Sequence, residues 1–259
     1  MEQTPQVSST KDKRMYPELI INNIEHPNRW LAIPFIGFFI RIILIIPPAI
    51  VLFFLGIFYF ILSLILPFVI LFTEKYWETA YEYSLKYLRY STKIGFYVYG
   101  LTDKYPGFSL DESGIFTLKY DKPANPSRLL AFPVLGFLIR LIILIPYIIF
   151  VEVLGRGAFL GLIWAWLVIL FTGRYPESIY EFVRDTFRVS TASGMYMSYL
   201  SDTYPSFRIS MNHKVVKIIL LLLGLLLLFS SGFAPQHKQQ SDTTYHYDAA
   251  GSNSAGWNQ

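Results

Sequence analysis

The sequence contains no cysteine, and only 15% of its 259 residues are charged. Without cysteine, disulfide bonds and thiolate metal sites are excluded. About a quarter of the residues of a typical soluble protein are charged, so this chain is poor in charge for a soluble protein. The histidines show no metal-ligand spacing, and no serine–histidine–acid set or phosphate loop stands out. We therefore expect no metal, no cofactor and no enzymatic activity.

Positive and negative charges nearly balance, because the net charge is only +4. That value is too small to indicate a nucleic-acid partner. Hydrophobic residues make up 53% of the chain and are gathered into long blocks rather than spread with a helical or strand period. Such blocks favour a bilayer over a soluble core. The sequence predicts an all-α membrane protein whose partners are membrane lipids, other membrane proteins or a second copy of itself.

The chain contains one unit twice. Pro34, Gly37, Arg41 and Pro47 recur as Pro133, Gly136, Arg140 and Pro146, each 99 positions later, and the alignment needs no gap. Self-similarity of this kind predicts two copies of one fold. The predicted organisation is a disordered tail (1–15), repeat 1 (16–110), repeat 2 (111–211), a transmembrane helix (212–234) and a second disordered tail (235–259).

Each repeat opens with an apolar block too long for one span. A helix from Leu31 to Phe72 would run about 60 Å, twice the hydrocarbon thickness. Because proline removes a helical hydrogen bond and clashes with the preceding turn, the prolines predict a transmembrane hairpin in each repeat. The four predicted helices cover 31–46, 49–72, 129–145 and 148–171. With a leucine-rich helix over 215–234, they give five spans.

An alternative is that the first helix of each hairpin only dips into the membrane or lies at its surface. Lysine and arginine number four in 1–30, eight in 73–128 and six in 172–217. Since cytoplasmic segments are enriched in these residues, all three segments are predicted on the cytoplasmic side. We therefore expect an inner-membrane protein with its N-terminus cytoplasmic, its C-terminus outside, and its repeats related by an axis along the membrane normal.

The segments outside the apolar blocks carry weaker patterns. Residues 76–100 and 175–199 have helical spacing of charge, which predicts amphipathic helices on the cytoplasmic membrane surface. Short β segments are predicted over 16–24 and 115–120, the latter in a hairpin with 108–110, and a further strand is possible over 207–211.

Several residue types recur together at the end of each repeat. They are Tyr81, Arg89, Asp103, Tyr105 and Pro106 in repeat 1, and Tyr180, Arg188, Asp202, Tyr204 and Pro205 in repeat 2. This pattern resembles the bacterial membrane family of domain-of-unknown-function 4389, over roughly 16–211. The resemblance implies a membrane location and a duplicated architecture, and it implies no chemistry.

Arg41 and Arg140 lie inside apolar helices at the same place in both repeats. A buried arginine in a membrane is costly unless it is paired or solvated. One hypothesis is that the two guanidiniums together bind a lipid phosphate or another anion. The alternatives are that they snorkel to the headgroups or form structural pairs.

Two further features occur in repeat 2 alone. Glu152 and Arg156 have the spacing of an intramembrane ion pair, with a proton or ion path as the alternative. Gly157, Gly161 and Ala165 recur every fourth residue, which predicts close helix packing within the chain or in a homodimer.

Asp103 and Asp202 stand before Tyr-Pro, where they are predicted to anchor a turn rather than act as general bases. The leading functional prediction is a structural or accessory membrane protein that acts through partners or lipids. The alternative is a small lipid- or anion-handling carrier that uses the paired arginines. A water-filled groove at the arginines would favour the carrier, and tight packing would favour the accessory role.

Overall fold

In the computed structural model, the described part of the chain (18–21, 27–33, 36–110, 116–119 and 126–232) is mainly helical. Its elements are β1 (Glu18–Ile21), a 3-10 helix (Arg29–Ala32), α1 (Ile36–Thr73), α2 (Glu78–Val98), β2 (Phe116–Lys119), α3 (Leu135–Thr172), α4 (Glu177–Met197) and α5 (Lys214–Gly232). The predicted tails, 1–15 and 235–259, lie outside the described residues.

Each apolar block forms one helix, so the predicted hairpins are wrong. α1 and α3 have 38 residues each, and Pro47, Pro48 and Pro146 lie within them. A proline removes one hydrogen bond, whereas a chain reversal would leave several backbone groups unpaired among apolar side chains. The helices therefore continue through the prolines, and the prediction of five spans fails with the hairpins.

α1 and α3 are the two described helices that are long and apolar enough to cross a membrane. Large apolar side chains stand exposed along both, including Phe53, Phe58, Ile142 and Trp164. The mean hydropathy of their most apolar stretch is high, 2.9 for α1 and 2.5 for α3. These helices fit an apolar solvent better than water.

The two short strands join the repeats. β1 pairs with β2 in antiparallel register, with Glu18 opposite Lys119 and Ile21 opposite Phe116. The predicted hairpin between 108–110 and 115–120 is wrong, because 108–110 is not a strand. Residues 207–211 also form no strand. The strands instead connect the segment before α1 to the segment after α2.

Within each repeat, the amphipathic helix packs on the apolar one. α2 packs on α1, α4 packs on α3, and α5 packs mainly on α3. The buried faces of α2 and α4 carry matched tyrosines, because Tyr81 and Tyr97 occupy the places of Tyr180 and Tyr196. The predicted amphipathic helices are thus present at almost the predicted bounds.

The repeats exchange contacts reciprocally. Leu101 of repeat 1 is buried in the cluster built by α3 and α4, and its counterpart Leu200 is buried in the cluster built by α1 and α2. Arg29 lies against Gly173 at the end of α3, and its counterpart Arg128 bridges to Glu74 at the end of α1, at 2.8 Å. Such mutual contacts are typical of a two-fold relation between two copies.

Candidate functional site

The arginine of α3 lies at the centre of a fully enclosed junction. Arg140 is 0% exposed and pairs with Asp202, which is 16% exposed. Its Nη1 donates to the carbonyl oxygens of Tyr196 at 2.6 Å and Ser201 at 2.8 Å, and its Nε donates to Leu130 O at 3.2 Å. Through Nη1 the arginine therefore binds one carbonyl in the last turn of α4, where helical carbonyls lack partners, and one carbonyl in the segment that follows.

The other oxygen of Asp202 is also used. Its Oδ2 accepts a hydrogen bond from the backbone N–H of Ser127 at 2.6 Å. One carboxylate thus joins the entry of repeat 2, α3 and the chain leaving α4. Both oxygens are engaged by strong donors, so the geometry gives Asp202 an anchoring role and leaves no free oxygen for a general base.

Repeat 1 builds the same junction from its own residues. Arg41, 3% exposed, pairs with Asp103 and donates from Nη1 to Tyr97 O at 2.6 Å and Thr102 O at 3.1 Å. Asp103 Oδ2 accepts from the backbone N–H of Asn28 at 2.5 Å. The arrangement is therefore a property of the repeated unit.

The aromatic surroundings of the two arginines differ. The Arg41 guanidinium lies 5.0 Å from the ring centre of Tyr97, while Arg140 lies 4.8 Å from Tyr196 and 4.6 Å from Tyr199. Gly100 takes the place of Tyr199 in repeat 1. Burial raises the pKa of both Tyr97 and Tyr196, and the adjacent guanidinium partly offsets that rise. Both rings therefore stay neutral and can face a cation.

The structure does not bring the two candidate anion-binding arginines together. Each guanidinium is enclosed by its own aspartate and carbonyls, and no contact joins Arg41 to Arg140 among the described residues. Neither side chain is exposed enough to reach headgroups by snorkelling. The geometry is that of two structural ion pairs.

Two of the remaining motif residues pack on the junctions. Tyr105 meets the edge of Tyr97 at 6.1 Å, and Tyr204 meets Tyr196 at 6.0 Å.

The other motif residues lie elsewhere in the fold. Tyr81 and Tyr180 are buried, as are Pro106 and Pro205. Arg188 lies 3.7 Å from Asp185, and Arg89, its repeat 1 counterpart, lies on α2.

The Glu152–Arg156 pair lies in the middle of α3. Arg156 Nη1 and Glu152 Oε2 are 2.7 Å apart, and their side chains are 29% and 56% exposed. A cleft of about 500 Å³ adjoins the pair, between α3, α4 and α5. In the part of the chain that the structure describes, Glu152 and Arg156 are thus candidate charged residues that a ligand could reach.

The small residues of α3 face α5. A Cβ on Gly157 would come within 2.6 Å of Leu220 O, and one on Gly161 would meet the Ile179 and Leu220 side chains. Ala165 is fully buried. In this chain the small residues of α3 permit close packing against α5. This contact uses the same surface of α3 that a homodimer would need.

Sequence reasoning did not connect the arginines with the aspartates. Three acidic positions recur in both repeats, Glu78, Glu82 and Asp103 with their counterparts, so the duplication alone does not choose the partner. It also missed Asp185, a fully buried residue of α4 whose Oδ2 accepts from the backbone N–H of Ser210 at 2.6 Å. Its repeat 1 counterpart is Lys86, so no repeated signal marked it.

The comparison with known families agrees with the duplicated junction. The family described as domain of unknown function (DUF4389) matches residues 36–109 and again residues 135–208. The chain belongs to this family. The two matches are displaced by the same 99 positions as the sequence repeat, and each contains one complete Arg–Asp pair. No curated protein and no solved structure matches the chain.

Proposed function

We propose that this family member is a membrane-embedded structural or accessory protein that acts through lipids or other membrane proteins. The observation that carries the proposal is the closed state of Arg41 and Arg140. A carrier that used them would need a solvated passage to both guanidiniums. Tight packing around each arginine instead supports a fixed scaffold.

Support for the membrane setting comes from the exposed surface of α1 and α3. Exposing such long apolar faces to water would be costly, because each buried square ångström of apolar surface contributes about 25 cal/mol. The connecting segments, by contrast, hold most of the lysines and arginines. This separation favours helices in lipid with basic segments on a membrane face.

The contacts that close repeat 1 favour one membrane face for its two ends. Asn28, before α1, bonds to Asp103, which follows α2, and β1 pairs with β2. Groups on opposite sides of a bilayer cannot hydrogen-bond directly, since the hydrocarbon core is about 30 Å thick. We therefore place the segments before α1 and after α2 on one side of the membrane.

Repeat 2 supports the same arrangement. Ser127, before α3, bonds to Asp202, which follows α4. The three basic segments then share the cytoplasmic side, as the charge distribution predicts. In this placement α5 crosses the membrane once, with the C-terminus outside.

Cysteine labelling tests this placement, since the chain contains no cysteine of its own. Single substitutions Lys104→Cys, Arg174→Cys and Ser252→Cys would be treated with an impermeant maleimide in vesicles of known orientation. Lys104→Cys and Arg174→Cys should react only from the cytoplasmic side, and Ser252→Cys only from outside. Labelling of Lys104→Cys from outside would contradict the placement of both ends of repeat 1 on the cytoplasmic side.

Lipid analysis separates the scaffold from the carrier. For a carrier, the double variant Arg41→Ala, Arg140→Ala should lose anionic lipid while keeping its fold. For a scaffold, the wild-type protein should co-purify with no excess of anionic lipid, and the variant should unfold at lower temperature. Mass spectrometry of bound lipid and a melting curve in detergent measure the two outcomes.

A further inference from the structure

The cleft beside Glu152 and Arg156 has a mixed lining. Apolar side chains from three helices form most of it, including Phe159, Phe187 and Leu227. The hydroxyl-bearing residues Thr186 and Ser190 lie in the same wall as the ion pair. A space of about 500 Å³ is large enough for a small-molecule group.

Repeat 1 has closed the equivalent space. There Tyr87 lies over Gly56, with its hydroxyl 3.3 Å from the position of a Cβ, and its ring stacks on Tyr59 at 4.3 Å. The counterpart of Tyr87 is Thr186, and the counterpart of Gly56 is Gly155, which has nothing within 4 Å of a Cβ. The exchange of one tyrosine for threonine therefore helps to keep the cleft open.

The charges are confined to the open cleft. Phe53 and Ile57 stand in repeat 1 where Glu152 and Arg156 stand in repeat 2. Arg156 uses Nη1 for Glu152, and no described protein group bonds its Nη2 or Nε. Since a guanidinium has five donors, the pair has capacity to bind a ligand that carries both a negative and a positive group.

We propose that this cleft binds the headgroup of a zwitterionic phospholipid. Its phosphate accepts from the unused donors of Arg156, and its positively charged ammonium group lies against the Glu152 carboxylate. The apolar wall receives the first part of an acyl chain. The pair is neutral as a whole, so a net-neutral headgroup leaves no uncompensated charge, whereas an anionic lipid would meet Glu152.

The position in α3 agrees with this ligand, and this step rests on the membrane placement proposed above. Thr186 and Ser190 of the amphipathic helix α4 line the same cleft as Glu152 and Arg156. The basic segment that contains α4 is the one placed at a membrane face, so the pair lies within reach of the headgroups of that face.

The test is retention of defined lipids by the full-length protein in detergent, measured by native mass spectrometry. Phosphatidylethanolamine, phosphatidylcholine and phosphatidylglycerol with identical chains would be offered in equal amounts. The wild type should retain a zwitterionic lipid about tenfold more than the anionic one. Glu152→Gln removes the acceptor charge and Thr186→Tyr fills the cleft, so each should lower that retention about tenfold.

Two matched controls use the rest of the chain. Glu74→Gln breaks an exposed ion pair away from the cleft and should leave retention unchanged. Tyr87→Thr uncovers Gly56 without adding charge and should add no bound lipid. Equal retention of the two zwitterionic lipids supports the shared phosphate–ammonium chemistry, and preference for phosphatidylethanolamine assigns a primary ammonium.

The outcomes against the proposal are also distinct. Preference for phosphatidylglycerol, or full retention in both Glu152→Gln and Thr186→Tyr, would overturn it. Glu152 is largely exposed, so its variant reports even where Thr186→Tyr fails to fold. A wild-type protein that stays soluble without detergent would instead overturn the membrane placement itself.

Discussion

Repeat 1 and repeat 2 share one frame and differ on one face. Both fasten a long apolar helix to an amphipathic helix through a buried arginine and an aspartate. Among the described residues, repeat 2 alone carries Glu152 and Arg156 with the open cleft beside them, and a covering helix, α5. The comparison indicates that the Arg–Asp junction is needed for the fold of each copy, whereas the α3–α4–α5 face has been free to specialise.

The glycine positions show how the specialised face formed. α5 approaches α3 closely because Gly157 and Gly161 lack side chains, whereas repeat 1 has Phe58 and Leu62 at those places. A helix cannot come equally near to those larger side chains. Repeat 1 therefore leaves this face of α1 open, and Phe58 is exposed.

The largest expected effect is loss of an arginine from a junction. Arg140→Leu leaves the Asp202 carboxylate without its cation and three carbonyl oxygens without this donor, so we expect a loss of about 3–5 kcal/mol in the free energy of unfolding. Arg41→Leu should cost about 1–2 kcal/mol less, because Arg140 has an extra hydrogen bond and a second ring beside it. Denaturant unfolding in mixed micelles measures the difference.

The residue Tyr199 sharpens that prediction. It has a φ of 62°, in the left-handed region where its counterpart Gly100, at 68°, is unstrained. Tyr199→Gly should relieve strain, but it also removes a buried ring from the core cluster and from Arg140, so we expect a net loss of about 2–4 kcal/mol. If Arg41→Leu cost more than Arg140→Leu, the account of these surroundings would be wrong.

A second effect separates the covered face from the open one. Gly157→Leu forces a side chain against the backbone of Leu220, so we expect a cost of about 1–3 kcal/mol from overpacking. Phe58→Leu, at the equivalent place in repeat 1, should change stability by less than about 0.5 kcal/mol because that position is exposed. Thermal unfolding in detergent compares the two, and equal costs would contradict the packing of α5 on α3.

The smallest effect concerns the ends of the long helices. Gly173 has a φ of 71°, and a Cβ there would lie 2.8 Å from Arg29 Nη2, so Gly173→Ala should cost about 1–2 kcal/mol.

Glu74 has a φ of 57° and an exposed bridge to Arg128. Glu74→Gly exchanges a weak ion pair for relief of strain and should be neutral within about 0.5 kcal/mol. A strongly destabilised Glu74→Gly protein would show that the bridge matters more than the conformation.

The sequence predicted those features that depend on local pattern. The repeat spacing gave the two copies, and the charge periodicity gave α2 and α4 at almost their observed bounds. The predicted hairpins are wrong because a helix that is longer than the bilayer is thick does not have to reverse its direction at a proline. Pro47, Pro48 and Pro146 remain inside helices, since continuing costs fewer hydrogen bonds than turning.

The candidate site was less accessible to sequence reasoning. Arg41 and Arg140 were identified by their cost in an apolar helix, but their partners lie 62 positions away in the chain. Three acidic positions recur in both repeats, so the repeat alone left three possible partners for each arginine. The cleft near Gly155 is open because no tyrosine lies over this glycine, whereas Tyr87 lies over Gly56 in repeat 1. The sequence of repeat 2 by itself does not indicate that missing tyrosine.

The arginine and the aspartate of each junction should stabilise the fold as a coupled pair. A double-mutant cycle of Arg140→Gln and Asp202→Asn, measured by reversible unfolding in mixed micelles, isolates that coupling. We predict a coupling free energy of about 1.5–3 kcal/mol, with a similar value for Arg41→Gln and Asp103→Asn, because both copies build the same contact. Costs that simply add, within about 0.5 kcal/mol in both repeats, would contradict it.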